Sequence, residues 1–226
     1  MVRRLVLFAE APLPGHTRGR LSEELGPVAA ARIAEALVRD SVVACEAMCD
    51  PVQCDPPPRL VLAHRGGAEW LTPMLSADWR LIEQRGEELG DRIQSALGEL
   101  AVADDDETVF IGVDCPQVTP QRIAQAFSDL EESDAVLGPC DTGGFYLIGM
   151  RGRPSAAALH GLRWKTADAL GDLIAGLEGF GLTIARLTPG YNVDTAESLR
   201  RLARDLAADA LDGVANLTKT LADLGL

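Results

Sequence analysis

The stretch Thr108-Val-Phe-Ile-Gly-Val-Asp114-Cys-Pro116 joins an apolar, β-branched run to a carboxylate. Such a run reads as a buried strand, and Pro116, which has no N–H for a sheet ladder, marks its end. In open α/β sheets, ligands sit beyond the carboxyl ends of the strands. Asp114 therefore stands where a carboxylate can hold a metal ion over a substrate phosphate, or where an aspartate opens a turn or caps the next helix. A second candidate is Ala9-Glu10-Ala-Pro-Leu-Pro-Gly15-His16-Thr-Arg18-Gly19-Arg20. Glycines let backbone N–H groups approach an anion, and arginines offer a forked donor to phosphate oxygens. The first 20 residues hold four arginines and one acid, the reverse of the whole-chain balance. This loop is either a phosphate cradle or a solvated basic segment, and it matches neither the Walker A pattern nor GxGxxG. A third candidate is Cys140-Asp141-Thr142-Gly143-Gly144, whose glycine pair suits a hairpin turn or close backbone approach to a ligand. The turn is the simpler reading.

These segments need strands and helices to position them. Arg4 to Phe8 reads as the first strand, leading into the basic loop. Pro27 opens a helix of about twenty residues with Ile33, Leu37 and Ala44 facing inward. After the stiff Cys54-Asp-Pro-Pro-Pro58 link come a strand at 59–63, a short helix at 70–74 and a short strand at 79–83. A helix carries Ile93, Leu97 and Leu100 at helical spacing, and the four acids Asp104 to Glu107 read as a solvated turn. Thr119-Pro120 is an N-cap and first-turn pair, followed by Ile123, Ala126, Phe127 and Leu130 on one apolar face. Strands are expected at 135–139, 145–149 and 182–187, and a helix from 163 to about 177. Asp194 with Glu197 reads as a capping box. This alternation predicts a three-layer α/β domain over residues 1–207, with a helical extension of the same domain at 208–226.

Bulk composition narrows the function classes. Lys plus Arg is 21 and Asp plus Glu 34, a formal charge of −13, which argues against a general nucleic-acid or anionic-membrane binder. No apolar run reaches the roughly 18–20 residues that span a bilayer, and Glu10 with two prolines cuts short the one signal-peptide-like start. Five cysteines in a chain with a full-sized core suggest reduced, structural thiols and a cytoplasmic setting.

Phe8-Ala-Glu-Ala-Pro-Leu-Pro-Gly15, Leu89-Gly-Asp-Arg92, Gly112-Val-Asp-Cys-Pro116, Gly138-Pro-Cys-Asp-Thr-Gly-Gly-Phe-Tyr-Leu-Ile-Gly149, Trp164-Lys-Thr166 and Asn192-Val-Asp194 occur in this order. The chain thereby resembles, from about residue 4 to 204, a bacterial family of nucleotide-diphospho-sugar transferase-like proteins. Some members are labelled glycosyltransferases of radical-SAM, selenium or arsenosugar gene clusters. The resemblance implies a Rossmann-like GT-A fold with a mostly parallel central sheet. It also implies distant kinship with the molybdenum-cofactor and 2-phospholactate guanylyltransferases.

By the same resemblance, Asp114, Asn192 and Asp194 would hold Mg²⁺ or Mn²⁺. Gly15, Arg18, Arg20, Arg92, Gly143 and Gly144 would meet the nucleotide and its phosphates. Asp114 and Asp141 would be the catalytic carboxylates; as general base, Asp141 stands ahead of His16 by its position in this chain. The activity implied is transfer from a nucleotide-activated donor to a small acceptor, glycosyl ahead of nucleotidyl transfer to a small phosphorylated acceptor. A ligand-binding protein with a degenerate site is the alternative of another class. Its support is in the departures: Glu10 where the family has lysine, Arg18-Gly19-Arg20 for a Lys-Thr-Arg run, Thr142 for the acid of Asp-Gly-Gly with Asp141 displaced by one position, and Asn192 for the first acid of Asp-x-Asp. The segment past residue 208 would either cover the sheet or join two copies as a homodimer.

Overall fold

The structure is a computed structural model of residues 1–226, and it describes every residue except Arg18, Ala77 and Lys165. The chain runs β1 (Arg3–Glu10), α1 (Gly19–Leu25), α2 (Pro27–Ala47), β2 (Arg59–Arg65), the single turn α3 (Ala68–Leu71) and β3 (Arg80–Glu83). It continues through α4 (Leu89–Glu99), β4 (Glu107–Gly112), α5 (Pro120–Leu130), β5 (Ala135–Pro139) and β6 (Phe145–Arg151). Then follow α6 (Ala169–Gly179), β7 (Ile184–Arg186), α7 (Ala196–Ala207) and α8 (Ala215–Leu224).

The seven strands form one sheet in the order β3-β2-β1-β4-β6-β5-β7. Every neighbouring pair is parallel except those that β6 makes with β4 and β5. Side chains alternate across a strand, so β1 is apolar on both faces. Leu5, Leu7 and Ala9 pack with Val38 and Val42 of α2 and with Ile123 and Phe127 of α5. Val6 faces the other way, with Ile93 and Leu97 of α4 and Leu173 and Leu177 of α6. The result is the expected three-layer α/β domain with its mostly parallel sheet.

A third apolar cluster lies outside these layers. Ile33 and Leu37 on the outer face of α2 meet Leu199 and Leu202 of α7 and Leu217 and Leu221 of α8. The C-terminal helix therefore lies on α2 and α7 and does not cover the sheet. Buried Asp40 in α2 accepts from the Asn216 and Leu217 N–H groups at 3.0 and 2.9 Å, supplying acceptors to donors that the start of α8 leaves unsatisfied. Burial pushes the Asp40 pKa up, against the pull of these bonds.

Several local readings are corrected. Gly19 and Arg20 begin a helix, because Leu21 is buried against α2 and draws the segment onto it. The helix expected from residue 163 begins at Ala169. Arg163 reaches forward to Asp168 at 2.6 Å and Asp172 at 2.7 Å, pairing with the acids at and just inside the start of α6. The acidic turn is only half solvated, since Asp106 and Glu107 are buried. Asp106 pairs with Arg4 at 2.7 Å, and Glu107 pairs with Arg3 at 2.9 Å, while exposed Glu131 reaches Arg3 at 2.8 Å. Two of the four early arginines thus belong to buried ion pairs at the start of the sheet, not to a basic loop.

Candidate functional site

The site is built at the carboxyl ends of β1 and β4, where the polypeptide leaves the sheet. A cleft of about 340 Å³ opens there. Its walls include Phe8, Ala9 and Glu10 of β1, Gly112 to Asp114 after β4, and Ala34 and Val38 of α2. Arg92 and Asp194 complete it, with Thr17 and Gln84, which the sequence reading did not single out. Asp114 and Asp194, 80 positions apart, are brought to one cleft by the backbone. The Val193 N–H donates to the Asp114 carbonyl at 2.8 Å, clipping the loop before α7 to the end of β4.

The capping box of α7 is formed by Thr195 and Ser198, not by Asp194 and Glu197. Thr195 Oγ1 accepts the Ser198 N–H, while Ser198 Oγ accepts the N–H groups of Asp194 and Thr195. This frees the Asp194 carboxylate from capping its own helix. It faces Arg20, whose guanidinium lies 3.2 Å away.

Arg92 gives Nε to the Gly86 carbonyl at 3.2 Å and Nη2 to the Glu87 carbonyl at 2.8 Å, which fixes the guanidinium at the cleft wall. Burial and neighbouring Arg65 pull its pKa down. Glu10 pairs with Arg65 on the adjacent strand at 3.5 Å, so its charge is partly offset within the sheet edge. Gly15 turns the preceding loop with a positive φ of 79°. Arg18 lies outside the described residues.

Asp194 also lines a second, larger cleft of about 800 Å³, together with Arg20, Asp141, Gly144, Asn192 and Arg201. Here Asp141 is ion-paired with Arg201. The Arg201 guanidinium lies 3.9 Å over the ring of buried Tyr191, whose hydroxyl donates to Asp205 at 2.6 Å. Neither Arg201 nor Tyr191 carried a signal in the sequence, because their partners are distant in the chain or engaged only through a ring face. Gly143 sits in the tight turn expected, with its N–H bonded to the Cys140 carbonyl at 3.1 Å. A β-carbon at Gly143 would collide with the backbone of Ala167, leaving no room for a side chain, whereas Gly144 faces open space. The close backbone approach at Gly143 is thus made by the chain itself. His16 is exposed on the loop before α1.

Asn192 Oδ1 accepts from the Cys140 thiol at 3.4 Å, and the Cys115 thiol donates to Gln117 Oε1 at 3.0 Å. Burial, with nearby carboxylates, pushes Cys140 up to about 12 and Cys115 up to about 11, so both stay protonated at neutral pH. They act as small packing groups and donors.

Among the described residues no three His, Cys, Asp or Glu side chains gather as a metal site. The donor chemistry on the cleft is the carboxylates of Asp114 and Asp194 from separate loops, with Glu10 on the same wall paired to Arg65. That fits a hard divalent cation of the Mg²⁺ kind, which is bound by one or two carboxylates and completes its shell with phosphate oxygens and water. Among the described residues no helix is long and apolar enough to cross a membrane.

Comparison with solved structures agrees with this architecture. A protein of Desulfovibrio desulfuricans G20, provisionally named a nucleotide-diphospho-sugar transferase, is 25% identical; the match covers 100% of this chain and 98% of that one, with a TM-score of 0.81. CMP:2-keto-3-deoxy-manno-octonic acid synthetase complexed with CTP is 12% identical over 92% of this chain and 100% of its own, with a TM-score of 0.57. The bifunctional IspDF of Campylobacter jejuni is 12% identical over 89% of this chain, which spans 54% of that longer one, with a TM-score of 0.53. The last two share the fold alone. No curated protein matches the chain. The fold is that of nucleotide-diphospho-sugar transferase structures, and the family profile over residues 51–166, just over half the chain, makes this protein a member of DUF2064, described as uncharacterized proteins conserved in bacteria.

Proposed function

We propose that this protein is a metal-dependent transferase that takes a nucleotide-activated donor in the smaller cleft, and that its reaction is glycosyl transfer from a nucleotide-sugar to a small acceptor. The observation that carries the reading is the meeting of Asp114 and Asp194 on one cleft, across the Val193 to Asp114 backbone bond. The near full-length likeness to the D. desulfuricans protein supports a donor of the nucleotide-sugar kind.

In this reading the carboxylates of Asp114 and Asp194 would hold Mg²⁺ or Mn²⁺, while Asn192, whose Oδ1 accepts from the Cys140 thiol, lines the larger cleft. The bound ion supplies neutralisation of charge on the departing diphosphate. Arg92 adds a fixed cation to the cleft, and Arg20 is within reach of the same carboxylate edge; both favour a donor rich in phosphate oxygens. Gly15 lets the loop before α1 turn close to the phosphates. Asp141, ion-paired with Arg201, is the candidate base for an acceptor hydroxyl.

The test is a thermal-shift panel of nucleoside triphosphates and nucleotide-sugars, each with and without Mg²⁺ or Mn²⁺, on the wild type and Asp114→Ala. A ligand that binds only the folded chain raises the melting temperature by mass action. A metal-dependent shift for one nucleotide, absent in the variant, is the expected result. No shift across the panel from a well-folded protein would overturn the reading in favour of a ligand-binding protein that has kept the fold.

A further inference from the structure

We infer that the larger cleft is the acceptor site and that it selects a small molecule carrying an oxyanion, a phosphate or a carboxylate, gripped by Arg201 and Arg204 of α7. The acceptor part of this inference rests on the donor reading above. Its first support is position. Asp194 lines both clefts, so the larger one adjoins the donor cleft at this residue.

The second support is the way Arg201 is held. Its guanidinium is stacked 3.9 Å over the Tyr191 ring and paired with Asp141. Tyr191 is itself fixed at both ends, its N–H to Gln117 Oε1 at 2.9 Å and its hydroxyl to Asp205 at 2.6 Å. A guanidinium has five N–H donors, and Asp141 takes one of those of Arg201, so a fork of fixed direction remains for a ligand. Arg204 stands three residues on, on the same face of α7, and lines the same cleft.

The third support is charge. Arg20, Arg201 and Arg204 face this cleft with the acids Asp141, Asp194 and Glu197. Two of these acids are already matched, Asp194 by Arg20 and Asp141 by Arg201. Among the described residues Arg204 has no ion-pair partner, and Glu197 lies at the exposed rim. An oxyanion between the two guanidinium groups would give Arg204 a counter-charge and add charge-assisted hydrogen bonds to both. The Thr142 hydroxyl on the cleft wall can meet the rest of a polar acceptor.

The experiment titrates inorganic phosphate and, separately, acetate into the whole chain, read by calorimetry and by amide chemical shifts. The proteins are the wild type, Arg201→Gln, Arg204→Gln and Asp114→Asn, each checked for an unchanged thermal transition. Arg204 has no partner to lose, so its variant keeps the test open if Arg201→Gln unfolds. Phosphate or acetate should bind the wild type and Asp114→Asn alike, and each arginine variant should weaken binding about tenfold. Whichever probe binds names the oxyanion. Binding unchanged in both arginine variants, binding lost only in Asp114→Asn, or no binding of either probe would overturn the inference. An absent nucleotide response beside intact, arginine-dependent phosphate binding would sink the donor reading while upholding the oxyanion grip.

Discussion

The Arg20 guanidinium stands 3.2 Å from the Asp194 carboxylate, tying the start of α1 to the residue that precedes the α7 cap. The two side chains are 74% and 37% exposed, so the pair is screened and its worth to stability is about 0–1 kcal/mol. Asp194→Asn should leave the melting temperature almost unchanged. It should weaken the metal-dependent binding of nucleotide by about tenfold or more, because one of two hard ligands is lost. An unaltered metal response would remove Asp194 from the site.

The buried end of β1 behaves differently. Glu107 is fully buried against Arg3, while Glu131 holds the same guanidinium from the surface. Removing a partner from a buried pair leaves an uncompensated charge, so Glu107→Ala should cost about 3 kcal/mol. Glu131→Ala should cost under about 1 kcal/mol. Urea unfolding of both variants measures the contrast, and equal losses would contradict it.

Gly143 and Gly144 separate packing from mere turn preference. Gly143 has a positive φ of 86°, and a methyl group there would overlap the Ala167 carbonyl. Gly143→Ala should destabilise by about 2 kcal/mol or more. Gly144→Ala enters open space and should stay within about 1 kcal/mol of wild type. Thermal melts of the two single variants decide this.

Acid stability should depend on Asp106. Burial pushes its pKa up, but Arg4 and the N–H groups of Ala103 and Val2 outweigh burial and hold it below the usual 3.8. A depressed folded pKa means the unfolded chain protonates first as pH falls, so the stabilisation is complete above about pH 4 and is lost on the way through the lower folded value. Asp106→Asn should flatten the loss of stability below about pH 4, measured by denaturant midpoints across the range. A slope identical to wild type would show that the Arg4 pair does not depress Asp106.

Much of the architecture was legible because it rests on local pattern. Pro27, Thr119-Pro120 and the spacing of Ile123, Ala126, Phe127 and Leu130 mark helices that fold where expected. The apolar runs around Val6 and Phe110 mark the central strands. What escaped depends on partners far along the chain. Arg3 and Glu107 are 104 positions apart, so a basic loop and a solvated acidic turn were expected where the protein buries ion pairs. Leu21 gave α1 too little periodicity to outweigh its flanking glycines, and only the α2 surface makes it a helix. At the candidate site, Asp114 and Asp194 were readable as strand-end and pre-helix carboxylates. Thr17, Tyr191 and Arg201 were not, since each enters a cleft wall only through tertiary packing.

The clasp of Asp40 on the start of α8 gives the C-terminal segment a mechanical part in a site it never touches. One side of α2 offers Ala34 and Val38 to the smaller cleft, and the other is gripped by Leu217 and Leu221. The last helix is in effect a buttress behind the cleft wall. Cutting the chain at residue 208 would leave Ile33 and Leu37 covered by α7 without α8 and slacken α2, so ligand affinity would fall though no residue facing the ligand had been removed.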